Sequence, residues 1–372
     1  EDTYCKDNGF NTLSDCMLVM NNHESSTEIA KQNITNKEIP DFSKTATTDE
    51  GLFMAEDDEG PSYYYRGAVK NNYVSFAGYT WRIIRRNGDG SIRMIYAGKT
   101  TSDTGESTMI GKSAFNEKYW DPTYVGYKYN EKFSLHENNE TTEYKWFTNT
   151  QKYSFGTEYT FDETTKKFTL TGTIKQLTWK DNHEEIVSGN LYSCLNTSCN
   201  VVYRITKYQS DTRMTVQPIS YSSDSYEYTI INNTDSHMKN TIDTWYRNNL
   251  INYTSYLADE IFCNDRRINY GLGYLIVPTT TYGAYGRLYE KKTPSLKCTQ
   301  DNDKFKISNE LAKLDYPIAL ITADEVAIAG GVWNVPNSNY YLYSGKYFWT
   351  MSPSDFEASY SDVRVWRVAP SG

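Results

Sequence analysis

Six cysteines occur as three pairs that are close in the sequence, and this spacing constrains the fold more than any other feature. The pairs are Cys5 with Cys16, Cys194 with Cys199, and Cys263 with Cys298. An even number of locally spaced cysteines is typical of disulfides formed in an oxidising compartment. Each bridge would stabilise the fold by about 2–4 kcal/mol, mainly by constraining the unfolded chain. We therefore predict an extracellular or cell-surface protein with three disulfides.

Metal binding is the alternative use of these cysteines. Structural zinc sites contain two close cysteine pairs, or one such pair with clustered histidines. Here only Cys194 and Cys199 are close, and the four histidines are scattered through the chain. The string from Asp301 to Asp303 resembles part of a calcium loop but lacks the following glycine and the distal glutamate of an EF-hand. The sequence predicts no metal and no cofactor.

The composition predicts a folded protein despite a low mean hydropathy of −0.70. The chain of 372 residues contains 34 Tyr, 14 Phe and 8 Trp, whereas disordered segments are poor in aromatic residues. Tyrosine buries its ring while its hydroxyl stays hydrogen-bonded, so a tyrosine-rich core looks hydrophilic on a hydropathy scale. The net charge of −9 argues against nucleic acid as a partner, because phosphate binding needs clustered lysine and arginine.

The chain contains no apolar stretch that approaches the length of a membrane span, about 18 residues. It begins at Glu1 rather than at a methionine. We therefore expect an N-terminal signal or anchor segment that is absent from this sequence. Any link to a membrane is predicted to run through that segment alone.

Shifts in residue pattern divide the chain into four parts. Residues 1–60 predict a small helical lead-in followed by an extended polar segment. Residues 61–150 and 223–372 are predicted to form the two parts of one domain. Residues 151–222 consist of short β-like runs separated by Gly, Asn and Asp turns, which predicts an inserted all-β subdomain. The fold class is therefore α+β and rich in β-structure.

The basic segment 82–93 predicts a solvated pair of strands joined at the turn 87–90. In the preceding strand, apolar and polar residues alternate, so Tyr79, Trp81 and Ile83 should share the buried face while Thr80 and Arg82 face solvent.

Three helices are predicted after the insertion. The first follows a cap at Asp235 or Ser236 and places apolar residues at helical spacing from Met238 to Leu250. A second short helix is predicted over residues 255–262. The third has a capping box, Thr322 with Glu325, and ends at Gly330 and Gly331.

The order of several short motifs resembles that of a known family. These motifs are the strand 74–84, the helix around Ile242, the capping-box segment 319–326, the segment 347–354 with its Ser-Pro, and the closing segment 365–372. The chain resembles a family of bacterial surface domains, found in gut Gram-positive bacteria, with a C-type-lectin-like fold. That fold is shared with formylglycine-generating, sulfatase-modifying enzymes and with variable receptor-binding proteins. The resemblance covers residues 73–130 and 235–372.

The chain departs from this family in two ways. The family has a further closing strand, and this sequence stops at Gly372. Either the sequence is trimmed before that strand, or the strand comes from elsewhere, from a homo-oligomer or an assembly partner. The sugar-binding motifs of calcium-dependent lectins are also missing, since the nearest strings are at Gln217-Pro218 and Trp333-Asn334. The sequence therefore does not support calcium-mediated sugar binding.

No catalytic machinery is recognisable. Hydrolysis through serine or cysteine needs a base beside the nucleophile, but no Gly-x-Ser-x-Gly occurs and no histidine lies in a known motif. We interpret His237 as a residue in the first turn of a helix. Cys263 and Cys298 are the only candidates for the thiol pair of a sulfatase-modifying oxidase, and a structural bridge is the favoured reading. We predict that the protein is not an enzyme.

The segment 330–349 is the best candidate for a binding surface because aromatic rings and amides are concentrated in it. Flat rings beside amide groups suit sugar faces and protein hot spots, and the resemblance implies that late loops form the ligand face. The candidate ligand-binding residues are Trp333, Asn334, Asn337, Asn339, Tyr340 and Tyr343. The alternative is that part of the segment is core, above all Tyr341 and Trp349.

The leading hypothesis is an extracellular, non-enzymatic adhesin or receptor-binding module from a bacterium or phage, which recognises a glycan or a protein on a host or bacterial surface. One alternative is a structural subunit of a surface appendage, such as a pilus. The other is an oxidase-like enzyme with the sulfatase-modifying fold.

Overall fold

The protein has a mixed α+β fold with antiparallel sheets. The structure is a computed structural model and describes residues 3–116, 122–129, 232–270, 279–357 and 362–372, together with the backbone of strands between residues 142 and 229. No helix in these ranges is both long and apolar enough to cross a membrane.

The helices are short. They are α1 (Thr3–Asp7), α2 (Leu13–Asn22), α3 (Thr27–Thr35), α4 (His237–Asn249), α5 (Gly283–Tyr285) and α6 (Ala323–Ala329). Single turns of 3₁₀-helix cover Gly105–Thr108, Pro122–Val125, Ile251–Tyr256 and Asp301–Asp303, and a π-helical turn covers Gly286–Lys291.

The strands before helix α4 are β1 (Asp49–Asp57), β2 (Gly60–Gly67), β3 (Tyr73–Phe76), β4 (Tyr79–Arg86), β5 (Ile92–Tyr96), β6 (Lys128–Tyr129), β7 (Thr142–Lys145), β8 (Glu158–Asp162), β9 (Lys167–Thr171), β10 (Tyr192–Cys194), β11 (Val202–Ser210), β12 (Arg213–Ile219), β13 (Ser225–Thr229) and β14 (Thr234–Asp235). Those after it are β15 (Phe262–Cys263), β16 (Ile268–Tyr270), β17 (Thr280–Tyr282), β18 (Lys304–Phe305), β19 (Phe348–Glu357) and β20 (Asp362–Val368).

A five-stranded sheet carries the larger core. Its order is β1-β2-β4-β3. Strands β2 and β3 pair with different parts of one edge of β4, and β5 pairs with the opposite edge. The predicted hairpin between β4 and β5 is therefore present. Trp81 and Ile83 are buried as expected, but the prediction that Thr80 faces solvent is wrong, because it is only 6% exposed. Arg82 is also partly covered, since it donates to Val69 O and Asn72 Oδ1. Both faces of β4 are covered, so alternation along the strand does not separate core from solvent.

Helices α4 and α6 begin where the sequence predicts them. The Ser236 hydroxyl accepts a hydrogen bond from Lys239 N at the start of α4, and His237 is the first residue of that helix. At the start of α6, Thr322 Oγ1 accepts from Glu325 N while Glu325 Oε2 accepts from Thr322 N, which is the predicted capping box.

Two predictions of local structure are wrong. The polar tract predicted to be extended contains α3, whose cap Ser26 accepts a hydrogen bond from Ile29 N; the helix buries only Ala30 and Ile34. The helix predicted over residues 255–262 is absent, since a 3₁₀ turn ends at Tyr256 and β15 begins at Phe262. Short helices with few apolar positions leave a weak periodic signal.

Strands are present in the predicted insertion. Together with β7 and β13, which lie outside residues 151–222, they form a four-stranded sheet, β10-β11-β12-β7, and a three-stranded sheet, β13-β9-β8. The boundaries proposed for this subdomain, and for the other parts of the chain, remain predictions. The bridge predicted between Cys194 and Cys199 lies outside the described residues.

Two of the three predicted disulfides are formed. Cys5 bonds to Cys16 and joins α1 to α2. Cys263 bonds to Cys298 across a sequence separation of 35 residues. Near the second bridge, Asp303 is buried and pairs with Arg266, so this carboxylate stabilises a loop rather than facing solvent.

Candidate functional site

A cleft of about 710 Å³ lies within the described residues. It lies between strand β5, helix α4 and the segments 104–113, 317–321 and 341–349. Most of its walls are aromatic or aliphatic, with a few polar groups at the rim. Cavities of this size and character are typical of ligand-binding sites.

One wall is an aromatic cluster built by α4 and the β4–β5 hairpin. The ring of Trp245 lies 5.5 Å from that of Tyr96 and 6.3 Å from that of Trp81, both edge-on. The Tyr79 hydroxyl donates to Asn249 Oδ1 at 2.6 Å and ties the sheet to the end of α4. Edge-on pairs are favourable beyond the area they bury, so this wall is held in a defined shape.

The facing wall comes from the start of β19 and the loop before it. Trp349 Nε1 donates to Ser113 O at 3.1 Å, which fixes that ring against the segment 104–113. Tyr347 stands at the rim and is 56% exposed; its ring lies beneath the guanidinium of Arg367 at 4.9 Å. The rim therefore presents an exposed aromatic ring held by one cation–π contact.

A buried network of charges lies behind β5. Glu325 Oε1 accepts from Arg85 Nε at 3.1 Å and is 3.2 Å from Arg93 Nε, while Arg85 Nη1 donates to Asp57 Oδ2 at 2.7 Å. All four side chains are buried. The prediction that the strand pair 82–93 is solvated is therefore wrong for Arg85 and Arg93, because buried carboxylates compensate their charges.

Burial and the neighbouring charges act in opposite directions on Glu325. Burial alone would raise the pKa of this carboxyl, but the charges of Arg93 and Arg85 outweigh it and hold the pKa below its ordinary value. A second pair, Arg287 with Asp324, lies beside the network, with Nε–Oδ1 at 2.8 Å. A cavity of only about 30 Å³ separates the two, which is room for a single water.

Three carboxylates meet where the polar network reaches the cleft. Oxygens of Glu59, Asp89 and Glu260 lie within 4.8 Å of one another. Burial, followed by the charge of Asp89, raises the pKa of Glu260 to about 7. Glu260 therefore carries a proton over much of the range below neutral pH, and this proton relieves the repulsion within the cluster.

This proton makes stability depend on pH. The folded state binds it more tightly than the unfolded chain, whose glutamates titrate near pH 4.3. Glu260 therefore stabilises the fold most below that pH, and its contribution is lost as the pH rises through about 7. We expect the melting temperature of the wild type to fall between pH 5 and pH 8 by more than that of Glu260→Gln. If the melting temperatures of the two proteins change in parallel between pH 5 and pH 8, the raised pKa assigned to Glu260 is wrong.

The candidate binding residues from the sequence do not all lie together. Trp333 is 51% exposed and packs edge-on against Trp366 at 5.2 Å and Tyr289 at 5.9 Å. Tyr343 lines the cleft, whereas Trp333 does not. The exposed Asn334 and Asn339 flank turns near Trp333.

Two of the candidate residues are buried in the core. Tyr340 is 2% exposed. The Asn337 side chain donates to Ala46 O and Gly330 O, both at 3.0 Å, and so holds the late loop against the N-terminal segment. Their positions indicate structural roles. The alternative of a core role is right for Tyr341, which is buried, and only in part for Trp349, which is half-buried in the cleft wall.

The sequence analysis did not identify the cleft itself. Tyr96, Trp245 and Phe348 come from distant parts of the chain, and each follows the pattern of an ordinary core residue. The available signal was the helical spacing of Trp245 combined with the large size of its ring. Spacing within α4 could not indicate that this ring borders a cavity.

No family model, curated protein or solved structure matches this chain. The function is therefore inferred from the cleft, the surface around Trp333 and the motifs in the sequence.

Proposed function

We propose that the protein is an extracellular, non-enzymatic recognition module whose ligand lies in the cleft. The observation that carries the proposal is the cleft of about 710 Å³ with fixed aromatic walls and an exposed ring at its rim. Aromatic rings provide large contact areas at a low cost in conformational entropy. This chemistry suits a sugar face or an apolar protein segment. The two disulfides support an oxidising location.

The positions of the titratable groups favour binding over catalysis. Among the described residues of the ion-pair network, only Arg93 lines the cleft, and Glu325 compensates its charge. The described lining of the cleft contains no histidine and no cysteine. Cys263 and Cys298, the candidate thiols of an oxidase, are joined to each other.

The C-type-lectin-like fold is part of this proposal. The motifs that resemble the family form the β4 hairpin, α4, α6 and the closing strands β19 and β20. In the described residues these elements surround the cleft or support its walls. A surface adhesin of a bacterium or phage is the role that best combines the resemblance with the disulfides and the cleft.

The rim residue Tyr347 provides the test. Ligands are first identified on a glycan array and in a cell-binding screen with the wild-type protein. Tyr347→Ala is then expected to weaken binding of those ligands about tenfold, or about 1.4 kcal/mol, because it removes an exposed contact ring. The matched control is Tyr256→Ala, since Tyr256 is 77% exposed and does not line the cleft. Dissociation constants by titration calorimetry provide the measurement.

The surface around Trp333 is the competing site for the same ligand. If Trp333→Ala abolishes binding while Tyr347→Ala leaves it unchanged, the ligand face is the one predicted from the late loop, and the cleft proposal is wrong. If both variants bind the ligand with the affinity of the wild type, neither surface is the binding site.

A further inference from the structure

The outer edge of β5 presents unpaired backbone groups. Ile83 N–H donates to Asn72 O on the far side of β4, so the pair Ile83–Met94 exchanges no hydrogen bond between β4 and β5. The N–H and C=O of Met94 therefore point away from β4, and by alternation so do those of Ile92 and Tyr96. These groups have no backbone partner among the described residues.

This free edge opens into the cleft. Every residue from 92 to 97 lines it. Successive side chains of a strand point to opposite faces, so a cavity against one face would border alternate residues only. Because the cleft borders every residue of β5, it lies along the edge of this strand.

A second segment that lines the cleft has few backbone hydrogen bonds. Every residue from 317 to 321 also lines the cleft. In this segment Ile318 N donates to Tyr316 O and Ile321 O accepts from Met351 N. No backbone partner is present for Ala319 and Leu320 within the described part of the chain. Two polypeptide edges therefore border one apolar space.

The cleft is large enough to hold a short peptide segment. Its volume of about 710 Å³ lies within the range of ligand-binding pockets, about 300–1,000 Å³. Strand β5 offers 5 residues for pairing.

We propose that the cleft receives an extended segment of another protein, apolar at alternate positions, which pairs with the edge of β5. This inference rests on the proposed function and names the class of partner. Main-chain hydrogen bonds to β5 provide affinity, and the aromatic walls select the side chains. Three of the cationic side chains that line the cleft are paired: Lys112 and Lys346 with Glu106, and Arg93 with Glu325, which favours an uncharged segment.

The described residues near positions 5 and 371 are poor donors for a second copy of the chain. The disulfide between Cys5 and Cys16 holds α1 against α2, and Ser371 O accepts a hydrogen bond from Asn337 N. These residues are thus tied to the fold.

The probe is a displayed library of nonapeptides with Val, Ile, Leu, Phe or Tyr at alternate positions. Peptides selected on the wild-type protein are synthesised with free amides and with every amide N-methylated. We expect N-methylation to weaken binding at least about tenfold, because it removes the hydrogen bonds that the peptide N–H groups donate and keeps the side chains. Amide exchange at Met94 and Tyr96 should slow at least about tenfold in the complex.

Met94→Pro is the matching change in the protein. Proline removes the outward N–H of β5 without removing a bond to β4, so peptide binding should weaken at least about tenfold. Met94→Leu keeps the N–H and an apolar side chain, so any loss it causes measures the contribution of the Met94 side chain and is subtracted from the loss in Met94→Pro. If Met94→Pro does not fold, the N-methylated peptides and the exchange of Tyr96 still provide the test.

The outcomes separate this inference from the proposed function. If no peptide is selected, or if N-methylation changes nothing, strand pairing is wrong. The recognition function still stands if Tyr347→Ala weakens binding of the ligands found in the screen. If Tyr347→Ala weakens binding of neither those ligands nor the selected peptides, the cleft is the binding site of neither. Dimers in light scattering that Met94→Pro converts to monomers would overturn the choice of another protein as the donor.

Discussion

Glu325→Ala is expected to lower the free energy of unfolding by about 4 kcal/mol. The substitution leaves Arg85 and Arg93 buried without their shared carboxylate, and breaking a buried ion pair from one side costs about 3–5 kcal/mol. It also removes the reciprocal half of the capping box of α6, which adds up to about 1 kcal/mol. Urea unfolding followed by tryptophan fluorescence provides the measurement.

The control for this substitution is Glu310→Ala. Glu310 forms an exposed pair with Lys313 at 2.8 Å, and exposed pairs contribute about 0–1 kcal/mol. The two variants remove the same side chain, so their difference isolates the buried network. A shift below about 1 kcal/mol for Glu325→Ala would show that the two arginines find other partners or become solvated.

Lys239→Met is expected to cause a loss of similar size, about 3–4 kcal/mol. The Lys239 side chain is fully buried, and its ammonium lies 2.5 Å from Asp243, 2.5 Å from Asp315 and 3.2 Å from Asp235. Burial opposes the charge of Lys239, but hydrogen bonds to Asp243 and Asp315 outweigh it and raise the pKa of the ammonium. Methionine would leave three carboxylates facing one another.

The loss in Lys239→Met should depend on pH. Burial already raises the pKa of Asp243 in the presence of the lysine, and removing the lysine raises it further. Protonation below that pKa relieves the repulsion, so the deficit relative to the wild type should shrink as the pH falls from 7 to 4. Lys31→Met, which removes an exposed pair with Glu28, is the control. A deficit that is constant with pH would contradict the assignment.

Features coded by neighbouring residues could be predicted from the sequence. The capping box of Thr322 and Glu325, the cap at Ser236 and the β4–β5 hairpin each need only a few adjacent residues. The mixed α+β class and two of the disulfides were predicted for the same reason, because spacing alone indicates them. The second role of Glu325, as the partner of Arg85 and Arg93, depends on packing between segments about 240 residues apart, and local pattern carries no such information.

The candidate site was predicted less well. A cluster of Tyr, Trp and Asn marks residues 330–349, but the sequence cannot distinguish an amide that holds two loops together, as Asn337 does, from one that meets a ligand. The cleft is an empty space between segments, and such a space leaves no pattern in the local sequence. It exists because α4, β5 and the segments before and within β19 approach without filling the space between them.

The anchoring of the N-terminal segment has a consequence for biosynthesis. Arg66 donates to Lys44 O and to Ile328 O, both at 3.0 Å, and Asn337 donates to Ala46 O across 291 positions. Chain emerging from the ribosome presents residues 44–66 long before their partners exist. This part of the sheet therefore completes its bonding only after residues 328–337 have been made. Contacts of such separation slow folding, so the early strands stay incompletely bonded until that segment emerges.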